Sequence, residues 1–435
     1  MRAAFRFLLC GPTLLVLFPL SAAPQQPPPK SSPSSAQKLR NPLNDLLDEA
    51  QAALDKNDYQ AAVSPLQKFI AEKPDVAFAH FQLAYAYTAL KQGDAAQAEY
   101  EKAISLDPKM AEAYLNLGIL LLQTNPAQAV APLKKAVDLL PSQSRPRNLL
   151  GTAQERSGDL KGAAESFEAA ANLDPKDVDS LIHLGETYLK LGRPADAEKK
   201  FRAALDLDPK SPEALQGLAV SLDAQKKPDA LEAYRAYLVV APQDDKARTR
   251  MLHILVEQGQ YDAAVAELQK SGQASNVDQL KLKADIEVGQ KKYEDAVATL
   301  RQAVALAPND AQLHGGLGRV YMETRDFPNA ERELKAALQI DRNNLVYWKD
   351  LSSAFYLAGN YPNALAALDV IAKAETLGAG AWFIRALCYD KLGDVQAALD
   401  AYRKFLALDE NKNPDQVWQA NQRIHVLEKT PEKKK

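Results

Sequence analysis

Residues 184–209 read LGETYLKLGRPADAEKKFRAALDLDP, and residues 150–175, 34 positions earlier, read LGTAQERSGDLKGAAESFEAAANLDP. Leu184-Gly185, Gly192, Ala197, Phe201, Ala204 and Pro209 answer Leu150-Gly151, Gly158, Ala163, Phe167, Ala170 and Pro175 position for position. A fixed period near 34 marks a stack of helix pairs, each too small to bury its apolar face alone.

Outward from this stretch, the Ala, aromatic and Pro positions set eleven repeats beginning at Leu43, Ala77, Ala111, Ser144, Val178, Pro212, Asp245, Val277, Ala311, Leu345 and Ala379. The spacing is 34 except for 33 before Ser144, 33 before Asp245 and 32 before Val277. The shortfalls read as deletions in turns, as at Thr124-Asn125-Pro126 and Lys226-Lys227-Pro228, because turns tolerate losses that packed helices do not. Each recurrent residue has a mechanical reason. Gly185 and Ala197 let two backbones approach, and since Gly costs helix propensity, packing must be its reason. Tyr188 and Phe201 fill the space beside that contact, contributing about 1.5–3 kcal/mol each when fully buried. Gly192 suits the left-handed conformation that ends a first helix, and Pro209 stops the second. One apolar flank of each hairpin is left for the neighbouring repeat to cover.

In these residues the chain resembles the tetratricopeptide repeat family, over about 370 of its 435 residues. The resemblance implies an all-α fold: an α-solenoid of about eleven 34-residue helix-turn-helix repeats over residues 43–412, wound as a right-handed superhelix. It also implies a concave groove, lined by first helices, that holds an extended peptide or a helix of a partner protein. The match is uneven. Repeat seven ends in Ser271-Gly272 where Pro is expected, repeat eight has Lys283 in place of a core Leu, and Arg342 replaces Pro in repeat nine. Residues 271–289 are therefore expected as a flexible joint or as a merely degenerate repeat. After the array, Asn413-Pro414-Asp415 has the order of an N-cap followed by Pro at the first helical position. Val417, Ala420, Ile424 and Leu427 then form an apolar stripe, so residues 413–429 are expected to cap repeat eleven.

Residues 1–23 place Arg2 and Arg6 before an apolar run from Phe7 to Leu20 and the small residues Ser21-Ala22-Ala23, the layout of a secretory signal peptide. The run is short for a bilayer span and is interrupted by Gly11, Pro12 and Pro19. Export to a periplasmic or extracellular space is expected, with cleavage after Ala22 or Ala23. An uncleaved anchor tethering the chain to an inner membrane is the alternative. Residues 24–42 form a Pro-, Gln- and Ser-rich linker too polar to bury a core, and residues 430–435 a basic tail. Of the two cysteines, Cys10 would leave with the signal, so Cys388 has no intrachain partner. The formal charge of −3 becomes −5 once Arg2 and Arg6 are removed, which gives no footprint for nucleic acid.

The residues that carry chemistry elsewhere are scattered. The sequence has no His-Glu-x-x-His, Cys-x-x-Cys, Gly-x-Ser-x-Gly or phosphate loop. His80, His183, His253, His314 and His425 fall in five different elements, never at the spacing that puts two ligands on one helix face. Gly315-Gly316-Leu317-Gly318 lies inside a first helix with no strand before it, which excludes a dinucleotide loop. Carboxylate pairs such as Asp206 and Asp208 recur with the Leu-Asp-Pro helix ending and read as turn chemistry. No cofactor or metal is expected.

A helical wheel of repeat two sets His80, Leu83, Ala84 and Tyr87 on the packing face and Phe78, Phe81 and Tyr85 on the other. Repeat three extends that second face with Leu115, Ile119 and Leu122. Together they form either an apolar floor for a partner or filler between neighbouring first helices. Further along the face turns polar, with Arg145, Asn148, Glu155 and Arg156, then Asp179 and Glu186, then Glu213 and Asp223. Some family members clamp a C-terminal carboxylate with Lys and Asn on successive first helices. Phe81 and Tyr85 occupy those positions here, against that mode. The function expected is a non-catalytic scaffold or adaptor in a bacterial cell envelope, with Phe78, Phe81, Tyr85, Leu115, Ile119, Leu122, Arg145 and Asn148 as its candidate binding groove. A periplasmic chaperone for unfolded envelope proteins is the second expectation and an enzyme the third.

Overall fold

A computed structural model of the chain describes residues 42–270, 276–410 and 412–429. The signal-like segment, most of the linker, Ser271-Gly272 and the basic tail lie outside the described residues. Among the described residues the chain forms twenty-three α-helices and no strand. First helices begin at Ala77, Ala111, Ser144, Val178, Pro212, Asp245, Val277, Ala311, Leu345 and Ala379, the residues at which the sequence period starts each repeat, and the first begins at Pro42. Two compact units meet in sequence at Lys227–Pro228. That is the shortened turn of repeat six, whereas the pattern departs furthest from its period at 271–289. Unit one holds repeats one to five and the helix Pro212–Ala224; unit two runs from the helix Ala230–Val240 to the closing helix Pro414–Glu428.

Within unit one, the hairpins close around a missing side chain. A Cβ on Gly151 would lie 2.7 Å from the Phe167 ring, and one on Gly185 would lie 2.8 Å from the Phe201 ring. The next first helix uses the same ring, since a Cβ on Gly217 would fall 2.2 Å from Phe201. Both rings are completely buried. Unit two repeats the device with an aliphatic partner, a Cβ on Gly318 falling 2.7 Å from Leu334.

The turns between paired helices need one left-handed residue. Gly158, Gly192, Gly259, Gly359 and Gly393 supply it at no steric cost, but Asn57, Lys91, Lys226, Lys291 and Arg325 adopt the same positive φ of 55–59°. A non-glycine residue there costs about 1–2 kcal/mol. Four of these five residues are cations sitting at the carbonyl end of a helix, where positive charge recovers about 0.3–1 kcal/mol. Repeat three dispenses with the residue altogether. Asn125 is both the C-cap of Ala111–Thr124 and the N-cap of Pro126–Leu139, its side chain accepting from the Gln128 amide. The deletion anticipated at Thr124-Asn125-Pro126 is thus absorbed by merging two caps into one residue.

A second bond ties consecutive repeats. In five repeats the fourth residue of the first helix donates to the backbone carbonyl six residues back, in the turn that ends the preceding repeat. His80 reaches Pro74 at 2.9 Å and Arg147 reaches Pro141 at 3.0 Å in unit one. In unit two Arg248 reaches Pro242 at 2.6 Å, His314 reaches Pro308 at 3.0 Å, and the Trp348 indole reaches Arg342 at 3.0 Å. Each acceptor is the turn residue that follows the C-cap of the preceding second helix.

At the C-terminal end, Ala420 and Leu427 are buried against the cluster of Phe383, Tyr402 and Phe405, with Val417 and Ile424 packed on it. Arg423 makes two 2.7 Å bonds to Asp390 of repeat eleven. Asn413 precedes Pro414 as the sequence suggested, but its side chain makes no helix cap. It donates to buried Asp409 instead, which also accepts the Asn413 amide at 3.0 Å. The Lys283 side chain expected to disturb repeat eight reaches out to Glu287 at 3.5 Å, while Leu280, Leu282 and Ala284 around it are buried.

Glu198 fastens the end of unit one. One oxygen accepts from Arg202 at 3.0 Å, and the other from Gln225 at 2.8 Å and Lys227 at 2.7 Å. Burial would push this carboxyl up, but the hydrogen bonds from Lys227, Gln225 and Arg202 outweigh it and hold the pKa at about 2, below its ordinary 4.5. Because the folded value lies below the unfolded one, the stabilisation is fully present above about pH 4.5 and is lost as the pH falls towards 2. Lys227 and Arg202 are about half exposed and screened by solvent. Glu198→Gln is therefore expected to cost about 1–2 kcal/mol at neutral pH, a difference in denaturation midpoint that shrinks steadily in acid. Gly217→Ala should cost about 1–3 kcal/mol by overpacking the Phe201 ring, with amide exchange accelerated chiefly in the helices that touch it. A melting curve and exchange profile like those of the unaltered chain would refute the contact.

Candidate partner-binding surface

The first helix of repeat two, Ala77–Ala89, buries Ala79, His80, Leu83, Ala84 and Ala86 with Tyr87 packed beside them, and Phe78, Phe81 and Tyr85 are its other aromatic residues. Phe78 is 42 % exposed. Its ring stacks on Phe81 at 6.3 Å, and Phe81 tilts over buried Tyr100 at 6.0 Å. Tyr85 meets Tyr59, from the second helix of repeat one, edge-on at 6.0 Å. Burial pushes the Tyr85 phenol up to about 12, and Tyr59 beside it adds to the rise. The three aromatic residues thus grade from an open ring to two that are half-buried.

In repeat three the expected floor is mostly core. Leu115 and Leu122 are 4 % and 8 % exposed, inside a cluster completed by Leu150 and Ala153 of the next first helix. They cannot form an open surface because that neighbouring helix covers them, which the spacing of one helix does not reveal. Ile119 packs half-buried on the same cluster. For these leucines filling the space between first helices is the correct reading, and the open apolar surface contracts to Phe78 and the exposed edges of Phe81, Tyr85 and Ile119.

The polar stretch that follows is largely occupied with itself. Asn148 donates to Asp177 at 2.8 Å and to Ser180 at 2.7 Å, tying repeat four to repeat five. Arg145 is half-buried beside it. Glu155 pairs with Lys190 across the same two first helices, and Arg156 reaches the Leu122 carbonyl at 3.4 Å. The His183 ring stacks on Phe167 at 5.3 Å and lies 3.8 Å from Glu186. Burial disfavours the charged form of that ring, but Glu186, with Glu155 and Asp179 beyond it, outweighs burial and raises its pKa above 6.5. This middle section carries matched charges of both signs.

Among the described residues no three His, Cys, Asp or Glu side chains gather to hold a metal. Cys388 is fully buried, and burial pushes its thiol up to about 11, far from the thiolate that nucleophilic chemistry needs. No helix among the described residues is long and apolar enough to cross a membrane. Tyr59 escaped the sequence reading because it lies in a second helix. Its signal is a Tyr opening that helix, as at Tyr261, Tyr293 and Tyr361.

A family model described as tetratricopeptide repeat matches residues 47–96, 123–178, 148–212, 182–247 and 349–413, more than half of the chain. A second of the same description matches 287–355, and one described as TPR repeat matches 84–125. No curated protein matches the chain. Among solved structures, the C-terminal part of a TPR repeat-containing protein from Cytophaga hutchinsonii is 19% identical, with a TM-score of 0.43 over 62% of this chain and 98% of that one. MamA from Desulfovibrio magneticus is 21% identical, with a TM-score of 0.37 over 39% of this chain and 96% of that one. YrrB, described as a TPR protein with an unusual peptide-binding site, is 22% identical, with a TM-score of 0.39 over 42% of this chain and 95% of that one. With its eleven helix pairs, its small-residue contacts and these family matches, the chain belongs to the tetratricopeptide repeat family.

Proposed function

We propose that this chain is a non-catalytic protein–protein interaction scaffold of a bacterial cell envelope, which captures a peptide or helix of a partner on the first helices of repeats two to four. The observation that carries the reading is Phe78, a large ring left 42 % exposed at the edge of a buried aromatic stack. An exposed aromatic anchored on rigid neighbours is the kind of residue that dominates interface energy. Asn148 and Glu155 are held by neighbouring repeats, so the polar middle of the surface is preorganised and would set orientation more than affinity. Membership of a family whose members bind protein partners supports the scaffold. The basic, apolar and small-residue order of residues 1–23 supports export.

A chaperone that holds unfolded envelope proteins would use the same apolar ring. The two readings part on stoichiometry: a scaffold copurifies with one or two partners in fixed ratio, whereas a chaperone suppresses aggregation of unrelated proteins.

Phe78→Ala should leave the melting temperature nearly unchanged and weaken capture of the copurifying partner by about 2 kcal/mol. Phe81→Ala with Tyr85→Ala should lower the melting temperature as well, because Phe81 packs on fully buried Tyr100 and Tyr85 on half-buried Tyr59. Undiminished capture by Phe78→Ala would move the binding site elsewhere. Intact mass of the protein from its native host should show a mature N-terminus at Ala23 or Pro24, and a full-length chain recovered from the cytosol would refute export.

A further inference from the structure

In three repeats a carboxyl group stands beside the fourth residue of the first helix, nineteen residues further along the chain. Glu99 lies 2.5 Å from His80, Glu267 3.4 Å from Arg248, and Glu333 2.7 Å from His314. Glu267 also accepts from Lys270 at 2.7 Å, so repeat seven holds a carboxylate between two cations at this place. Repeat ten departs from the pattern. Its fourth residue is Trp348, and the residue nineteen further on is Ala367. An open groove of about 670 Å³ lies there, between the second helices Phe327–Ile340 and Tyr361–Ala374 with Leu345–Leu357 as its floor. Trp348 and Phe355 make that floor aromatic, and the indole bond to the Arg342 carbonyl fixes the Trp348 ring. In repeat eleven the corresponding ring, Trp382, is covered by the Lys404 ammonium at 4.3 Å from its centroid. Val370 stands at the place of Lys404 in repeat ten, and the Trp348 ring opens on the groove.

We propose that this groove is a second docking site, which takes a partner segment bearing an acidic residue beside a large apolar one. The charge of the groove points to that partner. Lys335 and Arg342 line it, and no Asp or Glu does. Arg342 is exposed. Lys335 pairs with Glu331 at 2.5 Å one turn away, a partly exposed contact of the kind worth little, and its ammonium lies 5.4 Å from the centroid of the Phe355 ring. A carboxylate brought in from outside meets the planar Arg342 guanidinium and the Lys335 ammonium above an apolar floor, where charge-assisted hydrogen bonds are strong. The apolar neighbour of that carboxylate lies on Trp348 and Val370. The volume suits a few side chains. Outside the described residues this sequence carries a single acidic side chain, Glu432, next to a run of lysines, so it has no acidic stretch of its own to fill the groove. The site belongs to second helices of unit two and is separate from the Phe78 surface of unit one.

The test follows the indole N–H resonance of Trp348 in the full chain, assigned through Trp348→Phe, as an end-blocked Glu-Phe-Glu-Leu-Glu peptide is added at about 50 mM salt. A saturable shift of Trp348 is expected while the Trp418 signal of the closing helix stays in place. The matching Lys-Phe-Lys-Leu-Lys peptide should leave Trp348 where it is. Arg342→Glu should weaken binding of the acidic peptide on the order of tenfold or more. Ala367→Glu restores the carboxyl group that repeats two, seven and nine supply themselves, and should also close the site to the acidic peptide. Phe78→Ala should leave the titration unaltered. No shift of Trp348 up to about 5 mM acidic peptide would overturn the proposal, as would an equal shift with the lysine peptide. Inorganic phosphate reproducing the shift at the same concentration would also overturn it, reducing the groove to a site for any anion. Should Ala367→Glu not fold, Arg342→Glu decides, because that side chain is exposed, and undiminished binding by it refutes the site.

Discussion

The structure depends on rings packed where a side chain is missing. Gly151 and Gly185 give up helix propensity so that Phe167 and Phe201 can lie against bare backbone, and the burial of those rings offsets the loss. The contact also fixes geometry. A ring wedged within van der Waals distance of a helix backbone leaves the two helices little freedom to slide or splay. Since Gly217 of the next first helix approaches the same Phe201 ring, the closure of one hairpin and its stacking on the next share a side chain. A repeat protein whose stability is a sum of hairpin and neighbour terms here makes both terms with one residue.

Much of this was legible because the period is rigid. Leu184-Gly185, Ala197 and Phe201 recur at a spacing that packed helices cannot change, and the first helices begin where that spacing places them. Turns were legible only in part. Gly192 announces a left-handed residue, but Lys91, Lys291 and Arg325 do not, since their adoption of positive φ follows from where the chain must go and is eased by the helix dipole they sit against. The place where the compact units divide was not foreseen at Lys227–Pro228. The eye is drawn to the missing Pro and the Lys283 substitution near 280, yet Lys283 swings out to Glu287 and the core beneath it closes.

The candidate surface was legible residue by residue and not as a surface. Helical spacing sets Phe78, Phe81 and Tyr85 apart from Leu83 and Ala84, yet Phe81 and Tyr85 pack half-buried on the clusters that hold those two residues. Whether the second face is open depends on the neighbouring helix, and Leu150 and Ala153, 28 to 38 positions further along the chain, share one buried cluster with Leu115 and Leu122. In the same way Asn148 reads as a free amide, until Asp177 and Ser180 of the next repeat claim it.

The bond from the fourth residue of a first helix to the carbonyl six residues back has a consequence for how such chains diverge. Its acceptor is main chain, so every sequence provides it, and any side chain with a suitably placed N–H can complete it. His, Arg and Trp all do so here. Replacements among them would travel through lineages as near-neutral changes while the tie persists. A comparison that scores the position by residue identity would find it free to vary, and one that scores the bond would find it retained.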